Sequence, residues 1–330
     1  MGGARELREG VSAVGVARGG IRHRRVPYRT PAARDDVSFV TAAREVASRR
    51  ALDVPSRAAM TLKLEGAFTA LVTPFRDDKV DHASLAALVE FQIADGISGV
   101  IPVGTTGESP TLTAAEAREV IATTIRAAHK RVPVIAGTGT NATAETIART
   151  KVAQELGADA AMVVMPYYNK PTQAGLIAHV RAVHDATELP LVLYNVPTRG
   201  TGDLAAETVA EIARACPRVI ALKEATGNVL RAQHVHTLCG DRITVLCGDD
   251  ALTVAMMAVG ARGVISVASN VLPGAVAGVC RAMLKGDLVE AQRRQGALLG
   301  LYEAMFIETN PGPVKAALAL MGRIPAEIRL

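Results

Sequence analysis

Residues 219–227 read VIALKEATG, so four apolar residues run directly into Lys223 and Glu224. An ammonium group is costly to bury unless it is paired, reaches water or has given up its proton. Strand alternation would put Val219, Ala221 and Lys223 on one face and Ile220 and Leu222 on the other. A lysine held among apolar neighbours favours its neutral amine, the form that attacks a carbonyl carbon to make a Schiff base. Spacing alone favours a plainer reading, in which Lys223 snorkels to water or pairs with Glu224.

Other residues suit such chemistry without requiring it. Tyr194 ends the run LVLYNVP and shares a face with Val192. Its phenol could shuttle a proton beside Lys223, or it could be a core tyrosine with a satisfied hydroxyl. In GTTGE (104–108) the glycines permit a tight turn, leaving the hydroxyls of Thr105 and Thr106 and several backbone amides to receive a carboxylate. Many turns share that pattern. Arg199 in YNVPTR could fork onto a carboxylate, or simply be a solvated loop arginine. GTGTNA (137–142) lacks the third glycine of a dinucleotide fingerprint, no GxxxxGK[ST] loop occurs, and GDD (248–250) offers two adjacent acids, a poor metal site. The four cysteines form no CxxC and no cluster with histidine at metal-ligand spacing, which points to a reduced compartment and no zinc.

These residues need a scaffold, and the chain supplies a regular one. Eight short apolar runs begin at FTALVTPF (68–75) and continue with GVIPVG (99–104), PVIAGTG (133–139), AAMVVMPYY (160–168), LPLVLYNVP (189–197), VIALKEA (219–225), ITVLCGDD (243–250) and GVISVASN (263–270). Amphipathic stretches such as TAAEAREVIATTIRAAHK (113–130) and TAETIARTKVAQEL (143–156) lie between them. Strands alternating with helices at this spacing pair in parallel through crossovers. Eight such units predict an α/β fold, a (β/α)₈ TIM barrel over residues 61–272 with additional C-terminal helices over 273–330. Active sites of such barrels sit at the C-terminal ends of the strands. That rule selects GTTGE, YYNKP (167–171), YNVPTR, KEATG, GDD and VASN (267–270).

Composition bounds the partners. Residues 1–60 hold twelve arginines, no lysine and six acids, a balance of +6, whereas 61–330 hold 25 basic and 26 acidic residues. The barrel region therefore has no basic surplus for nucleic acid, and residues 1–60 read as an Arg-rich extension without a stable fold. That extension has no continuous apolar centre for a secretory signal, and no apolar run approaches the roughly 20 residues of a membrane span. A cytoplasmic protein is expected.

Taken in order, GTTGE, YYNKP, YNVPTR and ALKEATGN resemble the dihydrodipicolinate synthase family, also called 4-hydroxy-tetrahydrodipicolinate synthase. The resemblance covers roughly residues 61–330. It implies a barrel that condenses pyruvate with aspartate 4-semialdehyde in lysine and diaminopimelate biosynthesis, with no metal and no organic cofactor. It further implies that Lys223 forms the Schiff base, that Tyr194, Thr105 and Tyr168 form a proton relay, and that Thr106 and the backbone near Ile265 hold the pyruvate carboxylate. Arg199 would receive the carboxylate of the semialdehyde. Tyr168 would reach a neighbouring subunit's site, in a tight dimer that pairs into a dimer of dimers. The family reads R-T-G where this chain has RGTG (199–202), and relatives commonly continue beyond EIRL. Other pyruvate Schiff-base enzymes, such as N-acetylneuraminate lyase or a 2-keto-3-deoxy sugar acid aldolase, share the lysine and tyrosine. They commonly place Ser at the first hydroxyl position and lack the arginine, so Thr105 and Arg199 favour the synthase. A barrel that binds a keto acid without turnover is the alternative from another class.

Overall fold

The computed structural model describes residues 62–200 and 202–329. The expected Arg-rich extension lies outside these residues.

The strands are β1 (Gly66–Ala70), β2 (Phe75–Arg76), β3 (Lys79–Val80), β4 (Gly99–Ile101), β5 (Ile135–Gly137), β6 (Ala160–Val164), β7 (Leu191–Asn195), β8 (Val219–Glu224), β9 (Thr244–Cys247) and β10 (Gly263–Ser266). β2 and β3 form a small antiparallel hairpin. The other eight make one parallel sheet in the order β4-β1-β10-β9-β8-β7-β6-β5. A single bridge, Val100 to Val134, joins the two ends and closes the ring. Each apolar run identified in the sequence contributes one barrel strand, and the fold is the expected (β/α)₈ barrel.

The helices are α1 (His82–Ala94), α2 (Ala114–Ala128), α3 (Thr143–Leu156), α4 (Gln173–Ala186), α5 (Ala206–Ala215), α6 (Val229–Cys239), α7 (Thr253–Ala258), α8 (Pro273–Leu284), α9 (Leu288–Ala304) and α10 (Gly312–Leu320). Their ends follow local chemistry. Thr113 and Glu116 form a reciprocal capping box at the start of α2. Gly157 closes α3 in the left-handed region, at φ 87°. α8 packs against both β1 and β10, so the division at 272 falls between the eighth strand and its own helix. α9 and α10 are the additional C-terminal helices.

Two apolar clusters follow from this arrangement. The larger lies between strands and helices, while the smaller fills the barrel with Phe68, Ile101, Ile135, Met162, Val192, Tyr194, Ala221, Leu246 and Ile265 among its members. Gly137 marks a tight approach at the ring's closure, since a Cβ there would stand 2.2 Å from the carbonyl oxygen of Val103.

Candidate active site

Lys223 sits at the C-terminal end of β8, 6% exposed, directly paired in register with Tyr194 on β7. Its Nζ lies 4.2 Å from the centroid of the Tyr194 ring, so the amine rests on an aromatic face inside the barrel. Simple alternation gets the start of this strand wrong. Leu191 pairs with Val219 but Val192 pairs with Ala221, a β-bulge that inserts one residue into β8. Val219 therefore faces the helices, and half-buried Ile220 packs on the barrel interior together with Ala221. Beyond the bulge alternation resumes, with Leu222 outside.

Glu224 does not pair with Lys223. It is fully buried, takes Nε of Arg231 at 2.8 Å, and accepts the backbone amide of Thr226 at 2.9 Å. Arg231 also donates to the Leu204 carbonyl and stands 3.5 Å from Asp203. The Asn195 amide donates to Asp203 at 2.8 Å, and its oxygen accepts from the Leu204 amide at 3.2 Å. One network thus anchors both ends of the loop bearing Arg199 to the ends of β7 and β8.

The loop after β4 carries Thr105 and Thr106. Val103 at φ 57° and Glu108 at φ 55° adopt left-handed backbone, which a β-branched residue rarely does. Surrounding contacts hold the loop in place. The Thr73 hydroxyl donates to the Gly107 carbonyl at 2.7 Å. Glu108, fully buried, forms a 2.6 Å ion pair with Lys315, itself 2% exposed. Lys315 also donates to the Thr73 carbonyl at 2.9 Å, and its Nζ lies 4.3 Å from the Phe75 ring centroid. Burial pushes the Lys315 ammonium below its ordinary value, against the pull of Glu108. At the end of the chain, the Arg329 amide donates to Glu108 at 2.8 Å.

Thr106 is buried and Thr105 half-buried. The Asn310 amide nitrogen donates to the Thr106 hydroxyl at 3.0 Å, while the Asn310 carbonyl accepts from Arg199 Nη2 at 3.2 Å. Asn310 was missed by sequence reasoning, because its segment, ETNPGPVK, was read as lying outside the barrel. A cavity of about 700 Å³ lies beside α10, lined by Asn310, Lys315, Ile307 and Ile328 among others.

Ile265 lies on β10, paired with Phe68 of β1, and belongs to the interior cluster. Behind it the fully buried Asp250 accepts the amides of Val267 at 2.9 Å and Ala268 at 3.0 Å, and burial raises its carboxyl above the ordinary range. GDD thus fastens the turn after β10. Tyr168 follows β6, where it is 83% exposed with φ 69°. A bulky residue in the left-handed region, with its ring in solvent, marks a site of local strain. Lys223, Tyr194, Thr105, Thr106, Arg199, Ile265 and Tyr168 all lie at or just beyond the C-terminal ends of strands, and Tyr168 alone turns its ring outward among the two tyrosines assigned to the relay.

Comparison with known proteins shows the family. The model of the dihydrodipicolinate synthetase family matches residues 63–330. The chain belongs to that family. The 4-hydroxy-tetrahydrodipicolinate synthase of Sorangium cellulosum is 55% identical over 271 residues, covering 82% of this chain and 90% of the relative. The crystal structure of dihydrodipicolinate synthase from Aquifex aeolicus superposes with a TM-score of 0.80 at 44% identity, over 81% of this chain and 91% of that one. The chloride-inhibited dihydrodipicolinate synthase from Acinetobacter baumannii, complexed with pyruvate, matches equally well, with a TM-score of 0.80 and 44% identity over 81% and 92%. Among the described residues, no helix is long and apolar enough to cross a membrane.

Proposed function

We infer that this protein is a 4-hydroxy-tetrahydrodipicolinate synthase, which joins pyruvate to aspartate 4-semialdehyde through a Schiff base on Lys223. The observation that carries the reading is a primary amine buried in the barrel mouth over Tyr194, in a chain 55% identical to a synthase of that name.

The residues suggest a sequence of steps. The Lys223 amine, as the free base, adds to C2 of pyruvate, and loss of water from the carbinolamine leaves a cationic imine. The imine withdraws electrons from the methyl carbon, which gives up a proton to become an enamine. Tyr194, Thr105 and the Tyr168 of a neighbouring subunit would carry protons in these steps. The enamine carbon attacks the aldehyde carbon of the second substrate, whose oxygen takes a proton. The amine of that substrate then adds to the imine carbon, closing the ring and releasing Lys223 to give 4-hydroxy-tetrahydrodipicolinate. Thr106 and the backbone near Ile265 would hold the pyruvate carboxylate, and Arg199 that of the semialdehyde. The exposed, strained Tyr168 supports a tight dimer as the catalytic unit, and we extend this to a homotetramer in the cytoplasm.

Borohydride reduction in the presence of pyruvate tests the reading. A stable adduct should map by mass spectrometry to the peptide containing residues 219–227, and purified protein should consume both substrates. An adduct on another residue, or none, would remove the Schiff-base mechanism.

A further inference from the structure

Asn310 touches two of the groups assigned to the substrates' carboxylates, through two different atoms. Its side-chain nitrogen donates to the Thr106 hydroxyl at 3.0 Å, and its backbone carbonyl receives Arg199 at 3.2 Å. Asn310 is 5% exposed, and its side-chain oxygen is buried with no hydrogen-bond partner. A threonine hydroxyl has one hydrogen and two lone pairs. When Asn310 fills a lone pair, the single hydrogen remains free to donate elsewhere. A hydroxyl that instead donated to its neighbour would present only lone pairs to an incoming carboxylate, and would repel it.

We propose that Asn310 is a positioning residue that fixes the hydrogen-bond polarity of Thr106, so that the hydroxyl donates to the pyruvate carboxylate. The inference rests on the reading of Thr106 given above. Asn310 touches neither the reacting carbon nor Lys223 in this account. Its influence should therefore fall on pyruvate capture and leave the later chemistry nearly alone. Asn310→Asp is the sharpest probe. It keeps the shape but replaces the donor with an acceptor, which takes the Thr106 hydrogen and adds a negative charge near the substrate's own.

The measurement is the pyruvate concentration giving half-maximal borohydride trapping on Lys223, in the full chain, with melting temperature recorded in parallel. Asn310→Asp should raise the half-saturation by about tenfold or more, the scale of losing a hydrogen bond to a charged group. Asn310→Ala should raise it less, because the hydroxyl stays free to turn. The saturated trapping yield and the KM for the semialdehyde should change little. A double-mutant cycle separates positioning from general support. In a Thr106→Val background, Asn310→Asp should add clearly less than it does alone, because only the repulsion from its charge remains once the hydroxyl is gone. An unchanged half-saturation in Asn310→Asp would mean that an oxygen faces Thr106, and would overturn the inference, as would full additivity in the cycle. An adduct absent from the wild type would remove the Schiff-base reading and this inference with it. A normal wild-type adduct beside an unaffected variant would remove this inference alone.

Discussion

Replacing Lys315 with methionine tests what holds the loop of Thr105 and Thr106. The substitution keeps an unbranched side chain of similar length and removes the amine that pairs with Glu108 at 2.6 Å. Glu108 is fully buried and Lys315 is 2% exposed, so water cannot readily replace the lost partner. The Thr73 carbonyl loses a donor at 2.9 Å as well. Glu108 would keep the Arg329 amide at 2.8 Å, which offsets part of the loss. Breaking a buried pair by deleting one partner costs about 3–5 kcal/mol. At about 2–4 °C per kcal/mol for domains of 150–250 residues, the melting temperature should fall by roughly 5–15 °C. Adding Glu108→Gln removes the charge that the lost ammonium balanced, so the double variant should recover at least half of the loss. Differential scanning calorimetry of the three proteins at one concentration and neutral pH reads this directly. A drop below about 2 °C in Lys315→Met would refute the reasoning. So would a double variant no more stable than the single one, because the loss should come from the carboxylate's missing ammonium rather than from lost packing.

Within the site, Tyr194→Phe and Thr105→Val should each lower kcat by about 10²-fold or more, the scale of a lost proton-transfer group. Near-normal turnover in both would end the relay assignment. Arg199→Ala should weaken the semialdehyde far more than pyruvate, by about 1.5–3 kcal/mol for a charge-assisted bond. Equal changes in the two Michaelis constants would contradict that role. Hydrogen bonds from Arg329 hold the Glu116 carboxyl down, from its ordinary 4.5 to about 2. A depressed carboxyl contributes stability above pH 4.5 that fades as pH falls toward about 2. Arg329→Ala should therefore flatten this part of the melting-temperature profile, and superimposable profiles would discount the clamp. Free lysine should inhibit weakly. The family resemblance implies that Ser109, Asn141, Glu145 and Tyr167 would line a lysine site, and that Ala114 and Ala117 would stand where strongly inhibited members place imidazoles. Two lost partners at about 0.5–1.5 kcal/mol each amount to roughly 5- to 150-fold. Glu145 is also engaged by Arg149 at 2.8 Å. Half-inhibition in the low-to-middle micromolar range, in a lysine titration of initial rate, would sink this expectation.

The architecture was legible because burial on both faces of a parallel barrel writes each strand as a short apolar run, and the helices between them keep their own period. Lys223 and Tyr194 were legible as neighbours because each ends such a run. The orientation at the start of β8 was not, since a one-residue bulge between Val219 and Ala221 leaves no mark in an unbroken apolar string. Glu224 looked like the natural partner of Lys223, yet adjacent strand residues point to opposite faces, and its true partner, Arg231, comes from the following helix. Asn310 and Lys315 escaped notice for a related reason. Their contacts with Thr106 and Glu108 span 204 and 207 residues, and no local periodicity reports a link of that length.

The closure of the ring has a mechanical consequence. β4 and β5 have three residues each and meet through one bridge, with Val100 donating to Pro133 at 3.0 Å and Gly137 donating to Pro102 at 2.9 Å. Of the other seven joints, five are continuous ladders, the one between β7 and β8 carries the bulge, and β9 and β10 meet in a single pairing. The barrel therefore resembles a split ring whose gap lies just below the loop of Thr105 and Thr106. Opening motions should concentrate at this gap, where the amides of Val100 and Gly137 would exchange with solvent sooner than those of β7 and β8. A carboxylate gripped by the loop above would act as a clasp across the gap, so that the same amides would slow when substrate is present.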